Sequence, residues 1–350
     1  MQFGIQFFPD VRPDERSAEQ YFREALDLAE EADRLDFTHI RIVEHYFHYY
    51  GGYSPNPIVF LAAAAQRTKR ARLVTGAVLP AFNNPLKLAG EIAMLDAISG
   101  GRLDVGFARA FLPHEFRRFA RSPDESVARY REGIEQVDLL LRTENVTHRG
   151  MFHTIENTTS LPRPTQRPRP KFYVAALNTP ESFEYAGKMG YSVMAIAFVA
   201  AKMRPLLAAY RAAWKAAGHP GDGEVMIAFH MFCDHDAERA RNLAAPLIDN
   251  YLRSLVDAAS DWLDGRISQD YPGYDRIIAG LRASNAADQM TTGAAWVGTP
   301  DEIARTIATM QEDFGGFEHA SLQVNFNLMP FDAAMASMRL FAREVMPRFA

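Results

Sequence analysis

Residues 38–57 read THIRIVEHYFHYYGGYSPNP, and three kinds of segment follow one another along them. THIRIV (38–43) is apolar and β-branched, the pattern of a buried strand. EHYFHYYGGYSPNP (44–57) packs one acid, two histidines and four tyrosines around two glycines and two prolines, so it reads as an irregular loop. Helical periodicity begins at about Pro57 and runs to Arg67. Together these make one βα unit whose polar and aromatic groups gather at the C-terminal end of a core strand.

The unit recurs on both sides. FGIQFF (3–8) precedes an amphipathic stretch at 18–35, ARLVTGAVL (71–79) a helix at 86–98, and LDVGFAR (103–109) a helix around 124–142. KFYVAAL (171–177), SVMAIAF (192–198), VMIAFHMF (225–232) and SLQVNF (321–326) complete eight strands with helices between them. An open doubly wound sheet and a closed barrel share this grammar. No G-x-G-x-x-G follows the first strand, which favours a (β/α)8 TIM-type barrel formed by one domain, 1–350. Three stretches break the alternation: an extended connection at 110–123 after strand four, a hairpin and proline-rich loop at 145–170 before strand five, and an insertion at 259–293 after strand seven. Long insertions of the last kind tend to be lids or binding loops.

Composition narrows the function. Hydrophobic residues make up 48% and charged residues 23% of 350, with a net charge of −5 and no basic stripe, so nucleic acid is not the expected partner. FLAAAA (60–65) is too short to span a bilayer, and no secretory signal precedes the first strand; the expectation is a cytoplasmic protein without a membrane partner. A single cysteine, Cys233, leaves no internal disulfide and no cysteine metal cluster.

Barrel active sites sit at the C-terminal ends of the strands. That rule gathers Glu44, His45 and Tyr46 after strand two, Ala108, Arg109 and Phe111 after strand four, Leu177, Asn178 and Thr179 after strand five, and His230 or Phe232 on strand seven. His45 is placed to shuttle protons, whereas His48 reads first as a surface residue and several tyrosines as cover for apolar surface. His45 and His48 are spaced i, i+3 on a loop, too weak a pattern for a metal site, and none is expected. Arg109 at a strand end needs an anion; an ion pair with Glu44 or Glu115 meets that need as well as a ligand does. The run Asn178-Thr179-Pro180-Glu181-Ser182 reads as an N-cap followed by proline at N1, a helix start suited to phosphate. With Arg109 it suggests a phosphorylated cofactor.

The chain resembles the luciferase-like flavin monooxygenases, the bacterial luciferase alpha-subunit type above all. The resemblance is carried by FGIQFF, EHYF followed by NP, LAAAAQRTKRARLVTGAVLP, NNPLKLAGEIAMLDAISGGRLDVGFARAF, HEFRRF, PKFYVAALNTPESFEYAGKMGY, WVGTPDEIARTI and MRLFAREVMPRF. It implies a barrel that binds reduced FMN, to which O2 adds as a peroxyflavin that oxygenates a substrate. On that reading His45, with Glu44 beside it, stands at the family's Glu-His-His strand end, which serves oxygen chemistry and proton transfer. Arg109 holds the flavin phosphate, and Thr75-Gly76-Ala77 matches a non-prolyl cis peptide under the flavin ring. Tyr46 replaces the second histidine, Ala108 a reactive cysteine, and Ala176-Leu177 an acid–serine pair, leaving Asn178, Thr179 and Ser182 for the phosphate. These departures weigh against aldehyde oxidation and light emission. The pocket wall is expected from Phe8, Tyr46, His48, Phe111, His114, His230 and Phe232, with 259–293 as the loop that shields the flavin.

The expected activity is therefore that of a two-component monooxygenase, supplied with reduced FMN by a separate flavin reductase and acting with O2 on a small to mid-sized metabolite. An F420-dependent hydride-transfer enzyme and a non-catalytic flavin-binding subunit are the alternatives. The resemblance also implies a homodimer through the helices flanking strands two and three, and the small and apolar stretches 57–66 and 87–98 allow that packing.

Overall fold

The computed structural model describes residues 1–197, 199–265 and 268–350. Phe198, the expected end of the sixth strand, and Arg266 and Ile267 of the insertion lie outside the described residues. In chain order the strands are β1 (Gln2–Phe7), β2 (His39–Ile42), β3 (Arg72–Thr75), β4 (Leu103–Phe107), β5 (Val146–Arg149), β6 (Thr154–Thr158), β7 (Lys171–Ala175), β8 (Ser192–Ile196), β9 (Val225–Cys233), β10 (Ala295–Gly298) and β11 (His319–Gln323). The helices are α1 (Ala18–Arg34), α2 (Pro57–Arg67), α3 (Pro85–Ile98), α4 (Pro113–Arg118), α5 (Ser126–Arg142), α6 (Pro180–Met189), α7 (Ala200–Ala216), α8 (Ala237–Ala258), α9 (Tyr274–Ala283), α10 (Ala286–Thr291), α11 (Pro300–Phe314) and α12 (Phe331–Glu344).

Strands β1, β2, β3, β4, β7, β8, β9 and β11 pair in parallel, and the β8–β9 and β9–β11 ladders close them into a barrel. Alternation along β2 shows how the sequence divides the two faces. Ile40 and Ile42 are fully buried in the main core with residues of the surrounding helices, whereas Arg41 turns to the barrel interior opposite Gln6 and Val74. The Asn-Pro pairs fix two helix starts. Asn56 and Asn84 accept the N–H groups of Ile58 and Leu86, and Pro57 and Pro85 stand at the first helical turn, where no donor is lost. Among the described residues no helix is long and apolar enough to cross a membrane.

Four expectations are corrected. The strands end one to four residues before the apolar runs do at β2, β3, β4 and β7, because the next residues leave the ladder to build the rim. The 110–123 connection is not extended throughout; it carries α4 and a 3₁₀ turn at Pro123–Glu125. The insertion is largely helical, with α9 and α10. Finally, β10 is a further strand, too short to declare itself, which pairs outside the barrel with the last residues of β9 (Trp296 with Met231, Val297 with Phe232). The hairpin is present as β5–β6, followed by cis peptides before Pro162 and Pro168.

Thr75 is fully buried and its side chain belongs to the ladder, not to a ligand surface. Its Oγ1 donates to Gly106 O at 3.0 Å and accepts from Gly106 N at 2.8 Å, bridging β3 and β4 where they part. Thr75→Val keeps the shape and strands the Gly106 N–H, while Gly106 O keeps the Val78 N–H at 2.8 Å. Denaturant unfolding should show a loss of roughly 1–3 kcal/mol; an unchanged midpoint would refute this role.

Candidate active site

His45 follows β2 by three residues and is held from two sides. Its backbone N–H donates to Ser54 O at 3.0 Å, and Gly51, at φ 80°, folds the loop against its ring. A Cβ on Gly51 would lie 2.7 Å from His45 Cδ2, so both the positive φ and the close approach require glycine. Nδ1 of His45 lies 3.1 Å from Oε1 of Glu115, which also accepts the Tyr46 N–H at 2.9 Å. Glu115 is fully buried near the start of α4, and its Oε2 has no partner. This carboxylate therefore ties the loop after β2 to the one after β4 and fixes the proton of His45 on Nδ1, leaving Nε2 for exchange.

Glu44, also buried, accepts from Tyr46 Oη at 2.6 Å, Asn83 Nδ2 at 2.9 Å and Leu79 N at 3.3 Å. Burial nevertheless outweighs these donors and pushes its carboxyl up to about 8, so it carries a proton at neutral pH.

A cavity of about 260 Å³ opens at this end of the barrel. Gln6 and Arg41 form its floor, Phe8, His45 and Phe111 part of its wall, and Tyr251 of α8 with Ile277, Ile278 and Leu281 of α9 its roof. Glu44, Gly76, Ala77, Ala108, Leu177, Asn178, Thr179 and Ser182 also line it, and the Gly76–Ala77 peptide is cis. Arg109 reaches the rim, donating from Nη1 to Asp270 O at 2.9 Å with its guanidinium 4.7 Å from the centre of the Tyr271 ring. Neither Glu44 nor Glu115 pairs with it, because one is held by Tyr46 and Asn83 and the other by His45. Among the described residues no carboxylate stands within ion-pair distance of Arg109. Thr179 is the N-cap of α6, but its hydroxyl lies 2.8 Å from that of Ser182 and caps no N–H. Pro180 has no N–H and Ser182 N donates to Thr179 O at 3.1 Å, so at the start of the turn the Glu181 N–H is left for an anion.

The other expected residues lie elsewhere. Thr75 is in the ladder. Tyr46 sits behind Glu44 with its ring on Phe119. His48 pairs with Asp257 on the outer side of the loop. His114 bridges Tyr46 O and Ala258 O. His230 packs edge-to-face against Tyr251 at 4.7 Å and is not part of the lining, and burial pushes it down to about 4. Phe232 is in the β9–β10 pairing, beyond the barrel. Conversely, Arg41 and Tyr251 went unforeseen as parts of the lining, α9 was foreseen only as part of a shielding loop, and Glu115 figured only as a possible partner of Arg109. A charge between two isoleucines in a core strand was the available signal for Arg41.

A larger hollow, about 570 Å³, opens at the opposite end of the barrel. Its charges are spent on one another, Arg72 on Asp104 and both Lys171 and His319 on Glu224. The hollow at the C-terminal strand ends is the one with unspent cations and follows the barrel rule. Among the described residues no group of three or more histidine, cysteine or acidic side chains is placed to hold a metal ion.

Fold and site thus define a barrel with an apolar, cation-rimmed cavity at its C-terminal mouth. The family model for luciferase-like monooxygenases matches residues 1–316, and the chain belongs to that family. A solved structure of the monooxygenase RslO1 from Streptomyces bottropensis is 45% identical, with a TM-score of 0.88 over 100% of both chains. The oxygenase component of a flavin-dependent trigonelline monooxygenase from Acinetobacter baylyi is 28% identical over 100% of this chain and 96% of its own. An F420-dependent glucose-6-phosphate dehydrogenase from Amycolatopsis mediterranei is 30% identical over 50% of this chain and 54% of its own.

Because the folded-state carboxyl of Glu44 sits at about 8 against an ordinary 4.5, its contribution to stability is full below 4.5 and is lost as the pH rises through 8. Glu44→Gln has no proton to lose. Its stability relative to the parent should therefore improve by on the order of 2–4 kcal/mol between these limits. Denaturant titrations at both ends of the window check this, and parallel curves would exclude a buried neutral Glu44.

Proposed function

We propose that the protein is the oxygenase component of a two-component flavin-dependent monooxygenase, receiving reduced FMN from a separate reductase and oxygenating a small to mid-sized organic metabolite. The observation that carries this reading is the cavity's division of labour. Arg109, without a carboxylate partner among the described residues, and the Thr179 and Ser182 hydroxyls at the start of α6 fit a single phosphate at the rim. The walls behind them are apolar and aromatic, fit for a planar ring and an apolar substrate. When bound, the reduced flavin supplies the electrons and the centre at which O2 is activated. The chain's own residues position and protect. His45, oriented by Glu115, exchanges a proton at Nε2, and Glu44 holds a proton in reserve beside it. Residues 259–293 serve as the lid of a single catalytic domain, laying Ile277, Ile278 and Leu281 of α9 over the cavity to keep water out.

The F420 relative supports a second reading, hydride transfer without oxygen. Against it, Asn178, Thr179 and Ser182 beside Arg109 are uncharged, a poor match for the longer anionic tail of F420. Anaerobic titration with reduced FMN and with F420 separates the two. Tight binding of reduced FMN, with label from 18O2 in the product of a substrate screen, is the expected result. Binding of F420 alone would replace this reading with the second. His45→Ala should bind reduced FMN within about threefold of the parent and lose at least about a hundredfold in product per flavin; an unchanged yield would remove His45 from the chemistry.

The same reading includes a homodimer formed through α2 and α3. Val59 and Met94 are 68% and 56% exposed there, with Leu86 and Ile98 partly so, an apolar surface of the kind that marks an interface. Light scattering should give twice the 39.3 kDa chain mass, and a monomer would defeat the assignment.

A further inference from the structure

Arg41 is a buried cation without a counter-ion. It lies in the middle of β2, 9% exposed, in register with Gln6 of β1 and Val74 of β3. Of its five N–H donors two find acceptors, both neutral: Nη1 donates to Gln6 Oε1 at 3.0 Å and Nη2 to Gly76 O at 3.2 Å. Nε has none. Among the described residues no carboxylate stands within 4 Å of it. The nearest titratable groups are His39, two residues back on β2, and Tyr251 of α8; burial holds both uncharged. Burial also pushes Arg41 down to about 10, so it remains a cation at neutral pH. Isolating a charge in this way is costly unless an anion completes it.

Position decides which anion. Arg41 lies within the ladder at the floor of the cavity, whereas Arg109 lies two residues beyond the end of β4 at its rim. A ligand that satisfies both is negative at its two ends. Oxidised FMN is negative only at its phosphate. Reduced FMN loses a proton from the pyrimidine part of its ring near neutral pH and is negative at both. Just behind Arg41, Gln323 Nε2 is a second donor without a partner, so the unspent groups at this spot include donors that suit an anion.

We propose that Arg41 is the group that selects reduced over oxidised flavin, by completing its charge with the anionic reduced ring. The inference rests on the reduced-FMN reading above and adds to it a residue and a redox preference. An apolar wall alone would hold both flavin states alike and leave spent flavin in the site; a cation at the ring favours the charged, reduced state and lets the neutral, oxidised one go.

The test is binding without turnover. Affinities for oxidised and photoreduced FMN are measured anaerobically for the parent, Arg41→Met, Arg41→Lys and Arg109→Ala. Arg41→Met should lower the ratio of oxidised to reduced dissociation constants at least about tenfold, equivalent to a fall of about 30 mV in the bound two-electron potential. Arg41→Lys should keep the ratio within about threefold of the parent. Arg109→Ala should weaken both states together. Should Arg41→Met fail to fold, the parent alone still decides: its bound reduced FMN should keep the absorbance of the anion at pH values where free reduced FMN is protonated. An unchanged ratio in Arg41→Met, or protonation of the bound ring at the same pH as the free one, overturns the inference while leaving the FMN reading intact. A parent that binds neither state of FMN overturns both.

Discussion

The pairing of β8 with β9, from Val193 with Val225 to Ile196 with Ala228, turns an open parallel sheet into a barrel. Every other property of the site depends on that closure. A closed ladder has no edge, so its backbone groups are spent and the interior is furnished by side chains alone. It also brings the C-terminal ends of all eight strands to one rim. Glu44 and His45 after β2, Arg109 after β4 and Asn178 after β7 are distant in sequence but share a cavity for this reason. The ladder ends early at this rim: β2 stops at Ile42 and β4 at Phe107, and the residues that follow are released for other work.

What they do is governed by burial. In water a glutamate, a histidine and two arginines would screen one another without consequence. Here Glu115 is fully enclosed, and its one engaged oxygen is shared between the Tyr46 N–H and His45. Glu44 answers the same enclosure differently: with three neutral donors and no cation in contact, it keeps a proton. Two carboxyls, one next to His45 in sequence and one in contact with its ring, are thereby set to different tasks, one to hold a proton and one to orient.

Much of the fold was legible because a parallel barrel repeats one pattern. Apolar strand, turn and capped helix recur, and Asn-Pro at 56–57 and 84–85 states two of the helix starts outright. β10 was not legible: four residues, Ala295–Gly298, carry too little periodicity, and their strand state depends on the distant tail of β9. The helices of the insertion were hidden by the Pro272-Gly273 pair and by the acids Asp270 and Asp275 around it, which read as loop. For the site, residues that follow the end of a strand by a few positions were found, because position alone sends them to the rim. Residues whose role depends on a long-range partner were not. His230 looked like a pocket residue, but the ring that lines the cavity there is Tyr251, twenty-one positions later, against which His230 packs. Glu115 looked like a partner for Arg109, but its partner is His45, seventy residues away.

Gly76 shows how closely fold and charge are specified together. A Cβ at that position would fall 2.1 Å from Nε and 2.3 Å from Cγ of Arg41, so the arginine can lie across the end of β3 only because glycine is there. The same residue's carbonyl then accepts one of the arginine's donors. Of the acids of this region one keeps a proton and the other is engaged by His45 and the Tyr46 N–H, whereas the cations are held by neutral acceptors alone. A chain with a net charge of −5 therefore encloses a cavity whose unspent charges are positive, one at the rim and one at the floor. Apolar walls between them supply no competing solvent or counter-ion, so the electrostatic demand of the site falls on the ligand itself. Strand register places the floor cation and the loop after β4 the rim cation, and their separation gives the cavity its direction.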